Sequence, residues 1–258
     1  MFRWRAFVVA ATLRELRERY ARSALGWLWL LLPPLLFIAI YTLVFSQLAR
    51  GGFGSDYGPF GYSVYLCAGL LSWLWFSELL SRVASLFTRN AALLKKTQVP
   101  WFAVLAIDVM VPVCGLAIQM ALFAALLLLL GFWPGWPALW YLPLLLLQAL
   151  LAVGLGLGLG VLQVFVRDVG LAVPLLLQVW FWLTPIVYSL AIVPAGIQRW
   201  LLLNPITPLV QAYQSVVLPG LSAIDWPRLG VLLVIATLAM VGSLALVRRN
   251  LAFIYDEI

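Results

Sequence analysis

The chain contains no histidine and only two cysteines, Cys67 and Cys114. The missing imidazole removes histidine acid–base chemistry and histidine-ligated metal sites. Both cysteines lie in apolar stretches and read as small buried hydrophobes rather than a disulfide. Charge is scarce as well. Only 10% of the 258 residues are charged, against about 25% in a soluble domain. That is too little polar material to cover a soluble surface. No GxxxxGK[ST] phosphate loop, paired-carboxylate site or nucleophile constellation is found. The chain alone is therefore not expected to hydrolyse ATP or to be an enzyme, and no cofactor, metal or catalytic residue is expected in it. Residues 1–22 hold six Arg and two Glu with no small-residue cleavage site before Ser23, so they are not expected to be a secretory signal.

Apolar length is what the chain has instead. Hydrophobic residues make up 65% of it, and several runs exceed the ~18–20 residues that cross a bilayer. The pattern predicts an all-α polytopic membrane protein with six spans, at 25–48, 61–81, 101–131, 138–165, 169–190 and 228–247. Ahead of them, Val9, Leu13, Leu16 and Tyr20 form one apolar stripe in a basic segment. This predicts an amphipathic interfacial helix over 3–22. Six spans put both termini on one side. On that side lie thirteen Lys and Arg, and three (Arg50, Arg199 and Arg228) lie opposite. The rule that basic loops stay inside places the termini in the cytoplasm. The net charge of +7 is thereby a matter of topology and not of nucleic-acid binding.

Several local features carry expectations. Pro33-Pro34 predicts a bent first span. Gly154, Gly156, Gly158 and Gly160 alternate, which offers small faces on two sides of the fourth span, for close packing or for a hinge. The segment 191–227 predicts two short outer helices, one opening at Pro194 and one at Thr207-Pro208, separated by Asn204-Pro205. Each is too short to span and should be re-entrant or lie on the outer surface. Asp108, about 12 Å into its span, needs a basic partner or a wet cavity, and a proton relay is a further reading. Glu78 and Arg82 have helix-pair spacing. Arg167-Asp168 fall in an inner turn. Of the 13 Trp, Trp133, Trp136 and Trp140 suit an interfacial belt. Others lie in or near spans, where they either line an aromatic path suited to sugar rings or face lipid.

Five stretches in order, RYARSALGWLWLLLPPLLFIAIYTLVFS, LCAGLLSWLWFSELLSRVASLFTRNAALLKKTQVP, VFVRDVG, LQVWFWLTPIVYSL and LLLNPITPLVQAYQSVVL, resemble ABC-2 type permeases that export polysaccharide, with the O-antigen and teichoic-acid branch most similar and capsule exporters beside it. The resemblance implies a single transmembrane domain over 1–258, with an interfacial helix at 3–22, a cytoplasmic coupling segment at 82–100 and outer gate helices at 191–227. It implies a homodimer in the bacterial cytoplasmic (inner) membrane. Two copies of a separate ABC ATPase subunit would bind ATP and Mg, and an undecaprenyl-pyrophosphate-linked glycan would be the cargo. Membrane lipid is expected as a partner and nucleic acid is not.

By the same resemblance, Asn90, Leu93, Leu94, Lys95, Lys96, Arg167 and Asp168 would couple to the ATPase. Val99 stands where the family usually has an aromatic, and Gln163 where Asn is usual. Arg19 and Arg22 would meet the lipid pyrophosphate, because Arg pairs well with phosphate oxygens. Trp27, Trp73, Trp75, Trp180, Trp182, Thr184 and Tyr188 are expected at the channel or its gate. An exporter of a drug, lipid or other small molecule shares this architecture. A membrane-embedded enzyme or a passive channel are the other classes weighed. The first lacks a catalytic cluster, and the second predicts activity without any partner.

Overall fold

The computed structural model describes residues 4–21, 32, 35, 36, 39, 40, 57, 60–96 and 99–257. Its helices run Arg5–Ala21 (α1), Gly61–Ala84 (α2), Leu86–Arg89 (α3), Ala91–Lys96 (α4), Trp101–Leu129 (α5), Tyr141–Phe165 (α6), Val169–Trp182 (α7), Ala195–Leu203 (α8), Thr207–Val217 (α9) and Trp226–Glu257 (α10). Trp136–Trp140 and Leu190–Ile192 form short 3-10 turns. No strand occurs among the described residues. The protein is an all-helical polytopic membrane protein.

Four helical runs are long and apolar enough to cross a bilayer: α2, α5, α10, and Trp136–Phe165, which contains α6. They match four of the six expected spans. The first expected span, with Pro33-Pro34 and Trp27, falls largely outside the described residues. The fifth begins as expected at Val169 but is regular only to Trp182. Pro185 has no N–H to donate and disfavours helix at Thr184. The 14 residues of α7 reach only about 21 Å, less than the ~30 Å hydrocarbon core. The chain then continues as a turn whose carbonyls need side-chain partners.

Burial ranks the helices. The most apolar window of α2 is 83% buried, against 28% for α5 and 22% for α10. The centre of the bundle is therefore α2, while α5 and α10 turn most of their surface outward. Along α2 lie α6, α5 and α9, and α10 runs along the far side of α6. The alternating glycines set these distances. A methyl group on Gly156 would lie 2.8 Å from Val83 Cβ, and one on Gly160 would lie 3.0 Å from the Val83 carbonyl, both on α2. Gly154 faces α10 instead, opposite Met240. The glycines serve close packing, as the two-sided spacing anticipated.

Helix α1 lies against α5. Leu16 packs on Ile107 and Val111, with Phe7, Val8 and Ala11 around them. Val9 and Leu13, expected on the same stripe as Leu16, are exposed. The helix therefore has two apolar faces, one packed on α5 and one exposed.

Candidate functional site

At one end of α2 the chain breaks at Ser85 and Asn90 and continues as α3 and α4. Asn90 makes the second break by donating its side-chain amide to the Leu86 carbonyl at 2.9 Å, while its own carbonyl accepts from Leu94 N at 2.9 Å. Leu86, Phe87 and Leu94 are buried. Leu94 was expected on the docking face, but it points inward and fastens α4 to the core. Leu93 is half-buried, and Ala92, Lys95 and Lys96 are exposed.

Two other parts of the chain meet this segment. Lys95 Nζ donates to the Asp256 carbonyl at 3.4 Å, and Gln163 Nε2 donates to Thr88 Oγ1 at 3.2 Å. A cavity of about 360 Å³ lies between them, lined by Thr88, Ala91, Gln163, Arg167 and Glu257 among others. Arg167 and Asp168 are exposed, and the Asp168 carbonyl accepts from Leu171 and Ala172 to start α7. The structure thus gathers α3, α4, the α6–α7 turn and the end of α10 on one face. The contribution of α10 was missed by the sequence reading. Its one signal is the acidic pair Asp256-Glu257 on the side where basic residues accumulate.

A buried charge cluster fixes this end. Arg89 and Arg82 both pair with the Asp108 carboxylate, the latter at 3.4 Å, and Arg82 also pairs with Glu15. The Asp108 side chain is only 2% exposed. Two guanidinium and two carboxylate groups balance in formal charge, with Asp108 buried, Arg82 nearly so, and Arg89 and Glu15 reaching solvent. Asp108 is therefore a structural partner. Arg82 reaches Glu15 and Asp108, and Glu78 is not among its ion pairs in the described residues. The cluster joins α1, α2, α3 and α5. Arg19 lies in the last turn of α1, but its side chain, like all of Arg22, falls outside the described residues.

At the opposite end, the turn after α7 is held by side chains. Tyr62 donates its hydroxyl to the Val187 carbonyl at 2.6 Å, and Tyr65 donates to the Tyr188 carbonyl at 3.1 Å. Thr184 is buried and donates to the Trp180 carbonyl at 2.8 Å. Tyr188 donates to the Trp182 carbonyl at 3.0 Å. Trp73 and Trp75, expected to face a channel, are 4% and 3% exposed. They belong to the core, because α2 is surrounded on nearly every side. Trp180 is half-buried against Trp73 and Phe76. Of the described aromatic gate candidates, Trp182 is the outward one, at 61% exposure.

The two short helices expected within 191–227 both form, and they differ in setting. All but one residue of α9 is buried, and α9 packs on α2, whereas α8 buries only Leu201. Pro208 sits in the first turn of α9, but Thr207 does not cap it. Its hydroxyl donates to the Leu201 carbonyl at 2.7 Å and ties α9 back to α8.

Comparison with known proteins matches the ABC-2 type transporter family model to residues 7–218. The O-antigen export system permease protein RfbA of Myxococcus xanthus is 29% identical over 218 residues, covering 84% of this chain and 82% of that protein. A Klebsiella pneumoniae protein of the same name is 25% identical over 243 residues, covering 94% of this chain and 91% of its own length. The polysialic acid transport protein KpsM of Escherichia coli is 25% identical over 219 residues, covering 83% and 81% of the two chains. The family match runs from α1 through α9 and takes in nearly all of both ends just described, so the chain belongs to the ABC-2 type transporter family.

Proposed function

We propose that this chain is the transmembrane permease subunit of an ABC exporter that moves polysaccharide across a bacterial cytoplasmic membrane. The observation that carries the reading is the extent of the likeness. Relatives named as O-antigen and polysialic acid transport proteins align over more than four-fifths of this chain and of their own length. ATP is hydrolysed in a separate subunit, present in two copies, and two copies of this chain form the path. The cargo is a glycan on a polyprenyl pyrophosphate. Both termini face the cytoplasm, which agrees with the excess of Lys and Arg in the loops on that side.

The geometry supports a mechanical role for the inner end. Lys95 and Lys96 on α4 and Arg167 and Asp168 in the α6–α7 turn are exposed, on a face where Gln163 meets Thr88 and Lys95 meets the end of α10, a surface suited to a protein partner. Force applied there reaches α2 through buried Leu86, Phe87 and Leu94. Helix α2 in turn touches α5, α6 and α9. The test is co-expression with the ABC ATPase of the same export system, followed by purification and reconstitution with lipid-linked glycan. ATP-dependent glycan export that needs both subunits is the expected result. A chain that purifies without an ATPase, or that passes glycan without ATP, would overturn the reading.

A further inference from the structure

We propose that Asn204 is a latch, a positioning residue that makes helix α8 follow the movement of α2. The inference rests on the exporter reading above. Asn204 lies in the link between α8 and α9, and its side-chain amide uses its full bonding capacity. The oxygen accepts from Trp180 Nε1 at 2.8 Å and from the Ile206 backbone N–H at 3.1 Å. The nitrogen donates to Thr184 Oγ1 at 2.9 Å and to the Leu183 carbonyl at 3.1 Å. Only a carboxamide supplies two acceptances and two donations at one point. Asp accepts without donating, and Gln places the same group one methylene further out. One side chain therefore joins the α8–α9 link to the irregular turn that ends α7.

Trp180 connects this latch to the centre of the bundle. Its ring meets Phe76 edge to face at a 5.6 Å centroid distance and Trp73 at 6.1 Å. Both partners are buried on α2. From α2 the chain continues directly into α3 and α4. A displacement of α4 thus has a continuous route of packed rings and hydrogen bonds to the outer face. The route runs from α2 through Trp180 and Asn204 to α8, whereas α9 packs on α2 directly. Such a route transmits only if α8 has two positions that the inner end selects. The experiment must therefore observe both.

The permease–ATPase complex is prepared with Asn204→Ala, Asn204→Asp or Trp180→Phe, and spin labels are placed at exposed Arg199 on α8 and Arg228 on α10. In the parent, the label distance shifts when ATP with vanadate traps the ATPase. In Asn204→Ala the shift is lost and export falls by at least about tenfold, while ATP hydrolysis stays within about twofold, because the lost bonds couple rather than catalyse. Trp180→Phe keeps an aromatic ring and the other three bonds but loses the indole N–H, so export falls by at least about fivefold, one hydrogen bond's worth. Asn204→Asp keeps both acceptances but sets a carboxylate oxygen against the Leu183 carbonyl in place of the amide N–H, so export falls at least as far as in Asn204→Ala. Export that drops only in step with hydrolysis, or a label shift that persists in all three variants, overturns the latch. If Asn204→Ala fails to fold, parental export and label shift in Trp180→Phe overturn it alone. If the parent complex does not export, the exporter reading fails. The latch is then judged by amide hydrogen exchange over 195–206, where Asn204→Ala must lose protection at least about tenfold. Unchanged protection overturns it.

Discussion

A methyl group placed on Gly154 would lie 2.7 Å from the backbone nitrogen of Met240, so α6 and α10 meet main chain to main chain at that level. Backbone on both sides leaves no flexible side chain to move aside. We expect Gly154→Val to push the helices apart and to cost about 1–3 kcal/mol through overpacking. Thermal unfolding in detergent should show it as a lowered midpoint. Gly158→Ala is the control, because its methyl group would come no closer than 3.8 Å to Ser243 Cβ, and it should unfold near the parent.

Asp108 answers two arginines from a buried position. Asp108→Ala leaves Arg82 and Arg89 without their shared counter-charge and should cost about 3–5 kcal/mol. Glu15, whose side chain is 40% exposed, contributes through a solvent-screened pair, so Glu15→Gln should cost about 0–1 kcal/mol. Unfolding midpoints of the two variants measured side by side check the order. Equal losses would show that the cluster is not governed by burial.

Neighbouring residues on α4 should separate folding from docking. Leu94 is buried and Lys95 is exposed. Leu94→Asp places a charge in the core and should reduce the yield of folded chain. Lys95→Asp together with Lys96→Asp should leave the fold intact and weaken ATPase capture by at least about tenfold, as charge reversal on an exposed docking face does. Size-exclusion profiles report the first effect, and pull-down of the ATPase reports the second.

A buried hydroxyl should matter more than a half-buried one. Tyr213 donates to Gln148 Oε1 at 2.8 Å, and Gln148 Nε2 donates to the Ser72 carbonyl at 2.8 Å, with all three residues buried. Tyr213→Phe strands the Gln148 oxygen and should cost about 1–3 kcal/mol. Tyr62→Phe loosens only the turn at Val187 and should cost about 1 kcal/mol. Chemical-denaturant unfolding of the two variants tests the ranking.

Some of this was legible in the sequence because the signal was local. Glycines two apart on a 3.6-residue helix necessarily face two directions, and Gly154 and Gly156 do so. Pro208 marked the start of α9, since proline suits a first turn. The isolated acid Asp108 announced that it needed a partner. What was not legible depended on distant contacts. Arg82 has Glu78 at helix-pair spacing, yet a buried carboxylate on another helix and Glu15 on a third hold it. Asn204 looked like a spacer before Pro205, because its partners lie about twenty residues back, beyond any periodicity. Trp73 and Trp75 misled for a different reason. A packed core and an aromatic-lined path use the same residues, and only the position of α2 among its neighbours tells them apart.

The glycine contacts have a dynamic consequence. Helix α6 is gripped on one side by α2 and on the other by α10, each at the closest approach that main chains permit. It cannot rotate about its axis, because turning would drive Leu155 or Leu157 into seats that accept only hydrogen. Nor can it slide without moving its glycines past Val83 or Met240. At these levels main chain opposes sliding of α6 against α2 or α10. Relative displacement is easier where side chains alone join the elements, as they do at the turn after α7.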